Sequence, residues 1–531
     1  MRTLSLRSWR WLRSIATVLT SAAALGLAGC LPDVLLDKSA KLETESEDVT
    51  ASQVNRLRKT SLWSAEGDPL VSSTTGTKQG KEVGKVVTRA TSASVQRGSD
   101  STSKAAAANR SQLGNSVAVD VAVHRGLASF FSVLSRLESA ALQRPITILH
   151  LGDEKLVMDR FSGDLREIFQ SRFGDAGRGM MLPGRPFPYL RTRDMQVRQS
   201  GRWDVARSLD GVAGPFGLTG VRLTSQAAKA SVSSTDLKGP FNWAEVSFLA
   251  GPGRGAATVT IADKKGNTVE KQIVDTAADA LQSKWLRLNQ AGQIIKVTAE
   301  DNKPVTLLSW AIGKDRAGIR YVSLGVPGAT AGTAQLWDPA LVAQEVRQLK
   351  PDLIILSYGV NESFDDGLDV TRYESGLSET VSRFKALAPN ASLLILGPPD
   401  MALLPDHAGR TLSASKSIPC KRLSAEEIKT YSDRIRAHDR QLARWHPPIM
   451  LEPVRGVLRR VAARNGAYFW DWSKAMGGSC GIHAWIHRDP PLAAPNHRNL
   501  TDLGAKQSAL GLFRDLMSGY ASYRRLARQQ Q

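Results

Sequence analysis

The segment Ile146-Thr147-Ile148-Leu149-His150-Leu151-Gly152-Asp153-Glu154 decides the fold. Its run of apolar and β-branched residues predicts a short buried strand. The Gly-Asp pair that ends the run leads directly into a helical pattern that continues through Phe169. A strand followed at once by a helix begins a βαβ unit, so this segment predicts a parallel sheet.

Two later segments repeat this pattern. Residues 352–358 end at Gly359-Val360-Asn361-Glu362, and residues 392–396 end at Gly397-Pro398-Pro399-Asp400. Helical segments separate the strands, at about 340–349, 371–387 and 424–444. We therefore expect an α/β protein whose parallel sheet is covered by helices on both faces. Such sheets bind ligands beyond the carboxyl ends of their strands, so the turns at residues 152, 359 and 397 predict the site.

The stretch 241–315 follows a different pattern. Apolar and polar residues alternate, as at Val259 and Ile261, and turns rich in Gly, Pro and Asn separate the runs. Six or so short strands without a helix predict an all-β sandwich inserted into the α/β domain. Its tryptophans either bind sugars through exposed rings or pack in the core, and their alternation favours the core; they are Trp243, Trp285 and Trp310.

The N-terminus has the features of a lipoprotein export signal. Four arginines precede a short apolar segment that ends in Leu27-Ala28-Gly29-Cys30, which resembles the bacterial lipobox. We expect residues 1–29 to be removed and Cys30 to be lipidated, which anchors the protein to a membrane. The alternatives are an ordinary secretory signal with a chance Cys and an uncleaved anchor. By analogy with Gram-negative sorting, Leu31 favours the outer membrane, with the protein facing the periplasm.

The remaining organisation follows from composition. Residues 30–111 are rich in Ser, Thr, Lys, Gly and Ala and predict a flexible tether. Helical periodicity begins near Val117 and ends before Pro145. The expected domains are the first part of the α/β domain with this helix at 112–240, the sandwich at 241–315, the second part at 316–522 and a basic tail at 523–531.

The 531-residue chain is strongly basic. Its 70 Lys and Arg residues exceed 50 Asp and Glu residues, which gives a net charge of +20. Such a charge first suggests nucleic acid. An exported protein rarely meets nucleic acid, and the sequence has no DNA- or RNA-binding motif, so we expect no nucleic-acid partner. Acidic envelope glycans or an anionic membrane face are better partners, and a basic surface without a function is the alternative.

Two cysteines lie in loop-like segments, Cys420 and Cys480. In an oxidising envelope they can form a disulfide, and two reduced thiols are the alternative. The histidines at positions 483 and 487 have helical spacing, but the flanking glycines and prolines favour a loop. We therefore predict no metal site and no cofactor.

Four blocks in order resemble those of the SGNH (GDSL) hydrolases. They are Gly152-Asp153, the run 325–329, the run 359–362 and the run 496–501. The sequence is most similar to peptidoglycan O-acetylesterases, which carry a β-sandwich insertion between the first and second blocks. The segments 162–166 and 172–174 also look like that subgroup. The resemblance covers about residues 115–520.

The resemblance assigns roles to residues of this chain. It implies that Gly328 and Asn361 are the retained oxyanion-hole positions. In the family the triad positions hold a Ser nucleophile, an Asp and a His, but here they hold Glu154, Asn496 and Asn499. Other residues expected in the same pocket are Gly152, Asp153, Lys155, Gly359, Glu362 and His497. Lys155 stands where many relatives have His.

These substitutions remove the chemistry of the triad. Acyl transfer needs a hydroxyl made nucleophilic by a base that accepts its proton. The Glu154 carboxylate is a poor nucleophile toward an ester, and the amide of Asn499 does not titrate near neutral pH. Asn496 cannot supply the negative charge that stabilises an imidazolium. We therefore expect no intact catalytic triad.

Other residues offer one route to a rearranged site. His483, His487, Asp489 and His497 crowd the C-terminal segment, and Ser357 and Ser363 flank the third block. A loop shift of two residues would bring His497 toward the site, but it would find no hydroxyl at position 154. The alternative is that these histidines are surface or packing residues.

Three functions remain open. The leading hypothesis is a lipid-anchored, inactive SGNH-like protein that binds envelope glycan, either peptidoglycan or an acylated polysaccharide. The second is an O-acetylesterase-type hydrolase with a rearranged active site. The third is a structural partner of another protein in an envelope complex, because a fold does not dictate function.

Overall fold

The computed structural model describes residues 124–236, 239–408 and 418–529. The predicted signal segment 1–29, the lipidation site Cys30 and the tether at 30–111 lie outside the described residues. Within those residues, no helix is both long enough and apolar enough to cross a membrane.

The described strands and α-helices alternate in the first and last thirds and give way to strands alone in the middle. The strands are β1 (Pro145–Gly152), β2 (Gly179–Met181), β3 (Met195–Ser200), β4 (Asp204–Arg207), β5 (Val221–Ser225), β6 (Ser231–Asp236), β7 (Trp243–Ala250), β8 (Ala256–Ala262), β9 (Thr268–Asp275), β10 (Gln282–Leu288), β11 (Ile294–Ala299), β12 (Val305–Gly313), β13 (Gly318–Gly325), β14 (Leu353–Ser357), β15 (Ser392–Leu396) and β16 (Tyr468–Trp470). The helices are α1 (Ala128–Glu138), α2 (Glu154–Val157), α3 (Phe161–Phe173), α4 (Pro339–Leu349), α5 (Val360–Ser363), α6 (Val370–Leu387), α7 (Ala425–Lys429), α8 (Tyr431–Arg436), α9 (Leu451–Arg464), α10 (Trp472–Ala475), α11 (Gly481–Ile486) and α12 (Asp502–Gln529).

Five strands form the predicted parallel sheet. Their order is β13-β1-β14-β15-β16, and each neighbouring pair is parallel. Numbered along the chain, this is the order 2-1-3-4-5, which is the order of flavodoxin-like sheets. The predicted α/β class and SGNH/flavodoxin-like sheet are confirmed.

Helices cover both faces of this sheet because its strands are apolar on both sides. In β14, Leu353 and Ile355 pack in one hydrophobic cluster and Ile354 and Leu356 in the other. The first cluster contains apolar residues of α1, α3 and α12, and the second contains those of α4, α6 and α9. A continuous apolar run is what a strand buried on both faces requires.

The all-β region forms two antiparallel sheets that share one core. One has the order β10-β7-β12-β5-β4, with β2 added beside β12, and the other has the order β3-β6-β11-β8-β9. Val246 and Leu307 of the first sheet and Val259 and Ile295 of the second lie in the same hydrophobic cluster. The predicted inserted sandwich is therefore present.

The predicted start of the insertion at residue 241 is wrong. Strands β2 to β6, which cover residues 179–236, already belong to the two antiparallel sheets. Strands β3 and β4 lie at sheet edges and are largely exposed, with the polar sequences MQVRQS and DVAR. Such edge strands lack the alternation of apolar residues on which the prediction depended.

The tryptophans of the insertion lie mainly in the core. Trp243 and Trp310 are 3% and 2% exposed, and Trp285 is half-buried. The core interpretation is thus correct for the first two, and neither presents its ring to a ligand.

Two other predictions of local structure are wrong. The helix expected at 424–444 is divided into α7, α8 and a short 3₁₀ turn at Arg440–Leu442. The chain leaves helical geometry at Thr430 and takes a positive φ of 53° at His438. The boundary expected at residue 523 does not exist in the described part of the tail, because α12 continues to Gln529.

The first described helix is shorter than its periodic pattern. The pattern predicts a helix up to Pro145, whereas α1 ends at Glu138. The residues Leu127, Phe130, Phe131 and Leu134 are buried as their spacing predicts. The part of the pattern before His124 lies outside the described residues.

A disulfide joins Cys420 and Cys480, with the two Cα atoms 5.8 Å apart. Of the two alternatives left open by the sequence, the structure therefore has the bonded one. The bond links the loop before α7 to the residue that precedes α11.

Candidate functional site

The site lies at the carboxyl edge of the parallel sheet, where the sequence predicts it. Gly152 ends β1 and pairs with Gly325 on one side and Ser357 on the other. A Cβ atom at Gly152 would lie 2.6 Å from the carbonyl oxygen of Ser357, so only glycine fits there. The chain then turns into α2, whose N-terminus is capped by Asp153 as its Oδ1 accepts the Lys155 N–H at 2.9 Å.

Glu154, which the sequence predicts at the nucleophile position, contacts the expected oxyanion-hole residue Asn361. The Nδ2 atom of Asn361 donates to Oε2 of Glu154 at 3.1 Å and to the carbonyl oxygen of Ala329 at 2.9 Å. A carboxamide nitrogen has two hydrogens, so these two bonds use both of them. The donor that would stabilise an oxyanion in an esterase is bound here by the chain's own carboxylate.

The two loops of the expected oxyanion hole are held together by Glu362. Its Oε1 accepts the N–H of Ala331 at 2.8 Å, and its Oε2 accepts the N–H of Gly359 at 3.0 Å. Gly328 has a φ of +80°, which glycine adopts without strain. Glu362 therefore connects the loops that carry the two expected oxyanion-hole residues, Gly328 and Asn361.

Lys155 contacts the last triad position. Its Nζ donates to Oδ1 of Asn499 at 3.0 Å and to the carbonyl oxygen of Arg498 at 2.7 Å. Asn496 lies in the same turn, where its Oδ1 accepts the N–H groups of Arg498 and Asn499, each at 3.0 Å. Asn496 thus shapes the turn, and Lys155 connects that turn to α2.

His497 does not contact Glu154. Its Nδ1 lies 2.9 Å from the carbonyl oxygen of Pro495, and its Nε2 lies 2.8 Å from Nδ1 of His483. Its ring also stacks on Trp445 with a centroid distance of 3.6 Å. Since the carbonyl can only accept, Nδ1 of His497 donates to it and Nε2 accepts from His483. Neither nitrogen is left to act as a base toward position 154.

The histidines and serines considered from the sequence do not form a second triad. The rings of His483 and His487 lie 4.6 Å apart, and neither bond of His497 includes a hydroxyl. The buried hydroxyl of Ser363 donates to the carbonyl oxygen of Gly359 at 2.5 Å. Among the described residues, no group of three or more His, Cys, Asp or Glu side chains is arranged to hold a metal ion.

Burial shifts the pKa values of three charged groups around Glu154. Burial and the Glu154 carboxylate raise the pKa of Asp153 well above its usual value. Burial, with Arg498 and Arg160 nearby, lowers the pKa of Lys155. Burial raises the pKa of Glu362 to about 7, against the opposing effect of its backbone hydrogen bonds. The low-dielectric floor of the site therefore favours neutral forms of these groups.

Three residues at the site have no signal in the sequence. Tyr189 is 46% exposed, and the charges of Glu154 and Arg207 both act on its hydroxyl. The guanidinium of Arg498 lies 3.7 Å from the ring centroid of Phe364. Tyr189 is distant in sequence from the four blocks, Phe364 lies just after the third, and Arg498 lies in the fourth block without a role assigned by the resemblance, so only the folded chain shows their contacts.

Comparisons with known proteins agree with this architecture. Residues 299–492 match the family model described as GDSL-like lipase/acylhydrolase. No curated protein sequence matches the chain. A solved structure of a peptidoglycan O-acetylesterase has a TM-score of 0.56 and 24% identity, and the match covers 73% of this chain and 96% of that one.

Two further solved structures are family two carbohydrate esterases. The one from Cellvibrio japonicus has a TM-score of 0.23 and 11% identity, with 62% of this chain and 98% of that chain covered. The one from Clostridium thermocellum, in complex with cellohexaose, has a TM-score of 0.24 and 10% identity, with 62% and 100% covered. Their TM-scores are too low to support an argument about this chain.

The family match begins after Glu154 and ends before Asn496, and it includes Gly328 and Asn361. The sheet order and the structural match to the O-acetylesterase establish the same fold from the coordinates. The predicted resemblance to the SGNH (GDSL) hydrolases is confirmed, and residues 299–492 are similar to the GDSL-like lipase/acylhydrolase family.

Proposed function

We propose that this chain is a catalytically inactive, lipid-anchored protein that binds a glycan of the cell envelope at its altered SGNH site. The observation that carries the proposal is the hydrogen bond between Glu154 and Asn361. In this proposal Glu154 stands at the nucleophile position of the family, and its carboxylate occupies a donor that catalysis would require.

Inactivity follows from the chemistry of the three substituted positions. Glu154 offers no hydroxyl, and its negative charge at Asn361 would oppose the development of a second negative charge on an ester oxygen. Asn499 cannot accept a proton near neutral pH, and it is hydrogen-bonded to Lys155. Restoring any one residue would leave the other two steps without a catalyst.

Glycan binding is supported by the polar groups that remain. Carboxylate, amide and ammonium groups on Glu154, Asn499 and Lys155 are suited to hydrogen bonds with sugar hydroxyls. The structural relative with the same fold is a peptidoglycan O-acetylesterase, so peptidoglycan or an acylated polysaccharide is the ligand class that we propose.

The cellular location of the protein is part of the proposal. Lipidation at Cys30 would anchor the chain, and Leu31 favours the outer membrane with the protein facing the periplasm. Removal of residues 1–29, which carry four arginines and no acidic residue, lowers the net charge from +20 to +16, and this charge would still favour acidic envelope polymers over neutral ones.

Two measurements on the purified full chain test the function. With 4-nitrophenyl acetate and with O-acetylated peptidoglycan we expect no hydrolysis above the buffer rate. Turnover that disappears in Glu154→Ala or His483→Ala would instead support the rearranged esterase.

The second measurement is co-sedimentation with purified peptidoglycan sacculi. We expect binding that persists at moderate salt, where interactions between exposed charges are screened. A chain that stays in the supernatant would contradict glycan binding and favour the structural partner in an envelope complex.

A further inference from the structure

Tyr189 differs from the other exposed apolar residues of the described chain. The large apolar side chains that are well exposed include Tyr189 at 46%, and the others in this group are aliphatic. Tyr189 is therefore the exposed aromatic ring of the described residues. Exposure of an aromatic ring forgoes the free energy that its burial would contribute. An exposed ring beside polar groups therefore indicates a binding site.

The loop that carries Tyr189 joins β2 to β3 and is rigid. Its sequence Pro183-Gly184-Arg185-Pro186-Phe187-Pro188-Tyr189 contains three prolines, each of which fixes one backbone dihedral. The side chain of Arg185 donates to the carbonyl oxygen of Pro188 at 2.6 Å. The buried ring of Phe187 lies parallel to that of Tyr189, with centroids 6.1 Å apart.

The same loop is fixed to the α/β domain next to Glu154. The N–H of Arg191 donates to the carbonyl oxygen of Val157, the last residue of α2, at 3.1 Å. The N–H of Arg193 donates to Oδ2 of Asp159 at 3.2 Å. These bonds attach the segment that follows Tyr189 to the end of α2 and to Asp159, and α2 is the four-residue helix that begins at Glu154.

Charged groups on both sides act on the hydroxyl of Tyr189. Burial raises the pKa of Tyr189, the Arg207 guanidinium lowers it, and the Glu154 carboxylate raises it. Arg207 is itself paired with Asp210, with its Nε 2.9 Å from Oδ1. Together with the attachment of its loop to α2, these charges associate the exposed ring of Tyr189 with the polar groups of the site.

This combination matches the two-sided chemistry of a pyranose ring. One face of such a ring carries C–H groups that pack on an aromatic face, and its rim carries hydroxyls. Asn361 uses only Oε2 of Glu154, and the described residues give Oε1 no hydrogen-bond partner, so Oε1 can accept from a ligand hydroxyl. A rigid ring also loses little conformational entropy when a ligand binds.

We propose that Tyr189 is the stacking platform for one hexopyranose unit of the glycan, and that a hydroxyl of this sugar unit donates to Glu154. The inference rests on the proposed glycan-binding function and names the residue of the sandwich insertion that completes the site. It differs from the alternative in which tryptophans of the sandwich bind sugar, because Trp243 and Trp310 are buried.

The test is co-sedimentation of the full chain, in detergent, with increasing amounts of peptidoglycan sacculi. Tyr189→Ala should weaken binding about tenfold, which corresponds to about 1.4 kcal/mol and lies within the contribution expected of a stacked aromatic ring. Tyr189→Phe keeps the ring and should bind within about twofold of the original chain. Tyr189→Leu keeps apolar area without a flat face and should resemble the alanine variant.

Ile273→Ala is the matched control, since Ile273 is 67% exposed on β9 of the sandwich and should not change binding. If the original chain binds sacculi and Tyr189→Ala and Tyr189→Leu bind equally well, the platform is wrong and the proposed function stands. If the original chain does not bind sacculi, the proposed function and the platform are both overturned.

Discussion

Asn361 donates through Nδ2 to Oε2 of Glu154 at 3.1 Å, although the two residues are 207 positions apart in sequence. The bond joins the residue expected at the nucleophile position to one of the two expected oxyanion-hole positions. If these assignments are correct, the site contains an internal anion at the place where an esterase stabilises a transient one.

Restoring the family residues should restore hydrolysis. In the variant Glu154→Ser, Asn496→Asp, Asn499→His we expect hydrolysis of 4-nitrophenyl acetate at least about tenfold above the original chain, because the oxyanion-hole framework is retained. Adding Lys155→His should increase the rate further, since Lys155 otherwise keeps its hydrogen bond to the 498–499 turn.

The control for this prediction keeps Glu154 and changes only Asn496 and Asn499. It should remain at the buffer rate because it has no hydroxyl at position 154. Equal rates in the control and the triple variant would show that the residue assignments are wrong.

A buried ion-pair network should make Arg166 essential for stability. Arg166 is 2% exposed, and its Nη2 lies 2.9 Å from Oδ2 of Asp159 and 3.3 Å from Oδ1 of Asp194. Burial alone would raise the pKa of Asp159, but Arg166 and Arg178 lower it below its usual value. Arg166→Met should lower the free energy of unfolding by about 3–5 kcal/mol, because it leaves buried carboxylates undercompensated.

Urea denaturation measures this effect, with Arg172→Met as the control. Arg172 pairs with Glu138 at 2.8 Å, but it is 49% exposed, so its loss should cost less than about 1 kcal/mol. If Arg166→Met and Arg172→Met lowered the free energy of unfolding by similar amounts, burial would not be the reason that Arg166 matters.

The fully buried Glu345 should make stability depend on pH. Burial raises its pKa to about 8, against the hydrogen bond from the Leu218 N–H, whose nitrogen lies 2.6 Å from Oε2. Between the unfolded value near 4.5 and about pH 8, the folded chain keeps a proton that the unfolded chain has released. The free energy of unfolding is therefore not reduced by Glu345 at low pH. It falls as the pH rises through this range, by up to about 1.4 kcal/mol per pH unit.

The measurement is the free energy of unfolding of the original chain and of Glu345→Gln between about pH 5 and about pH 8. This range lies between the pKa of Glu345 in the unfolded chain and its pKa in the folded chain. Glutamine keeps an acceptor for Leu218 but does not titrate. We expect the difference between the two proteins to change with pH in favour of the glutamine variant at high pH. Parallel curves would show that Glu345 is not neutral in the folded state.

Removing the disulfide should destabilise the C-terminal half. Cys420 and Cys480 are 60 residues apart, and closing a loop of that length restricts the unfolded chain. The chain-entropy model predicts a loss of about 4 kcal/mol for Cys420→Ala, Cys480→Ala. Thermal unfolding with and without a reducing agent checks this. The reductant should lower the Tm of the original chain and leave that of the double variant unchanged, and any other result would contradict the bond's role.

The sequence predicts three of the five strands of the parallel sheet, β1, β14 and β15, because these are short apolar runs that end in Gly-containing turns, whereas β13 and β16 are not predicted. Each such run, as at residues 353–357, identifies a strand without help from distant residues. The start of the sandwich cannot be predicted from the sequence because β3 and β4 are polar edge strands. Their conformation depends on pairing with neighbouring strands and not on an apolar pattern of their own.

The site is predictable in part. The identities at positions 154, 496 and 499 follow from the order of the blocks, but their contacts do not. The bond from Lys155 to Asn499 spans 344 positions, and no local pattern indicates which partner an ammonium group will choose. The direction of the His497 ring is likewise fixed by Trp445 and His483, which lie outside its own turn.

The sandwich and the parallel sheet share apolar packing. Met180 of β2 and Trp243 of β7 lie in the same hydrophobic cluster as Leu149 of β1 and Val322 of β13. Only the residues between Gly313 and Gly318 separate the last sandwich strand from the parallel sheet. The insertion is therefore not an independent module. Its removal would expose apolar residues of the α/β domain, and thermal unfolding of the sandwich and of the α/β domain should occur in one cooperative transition.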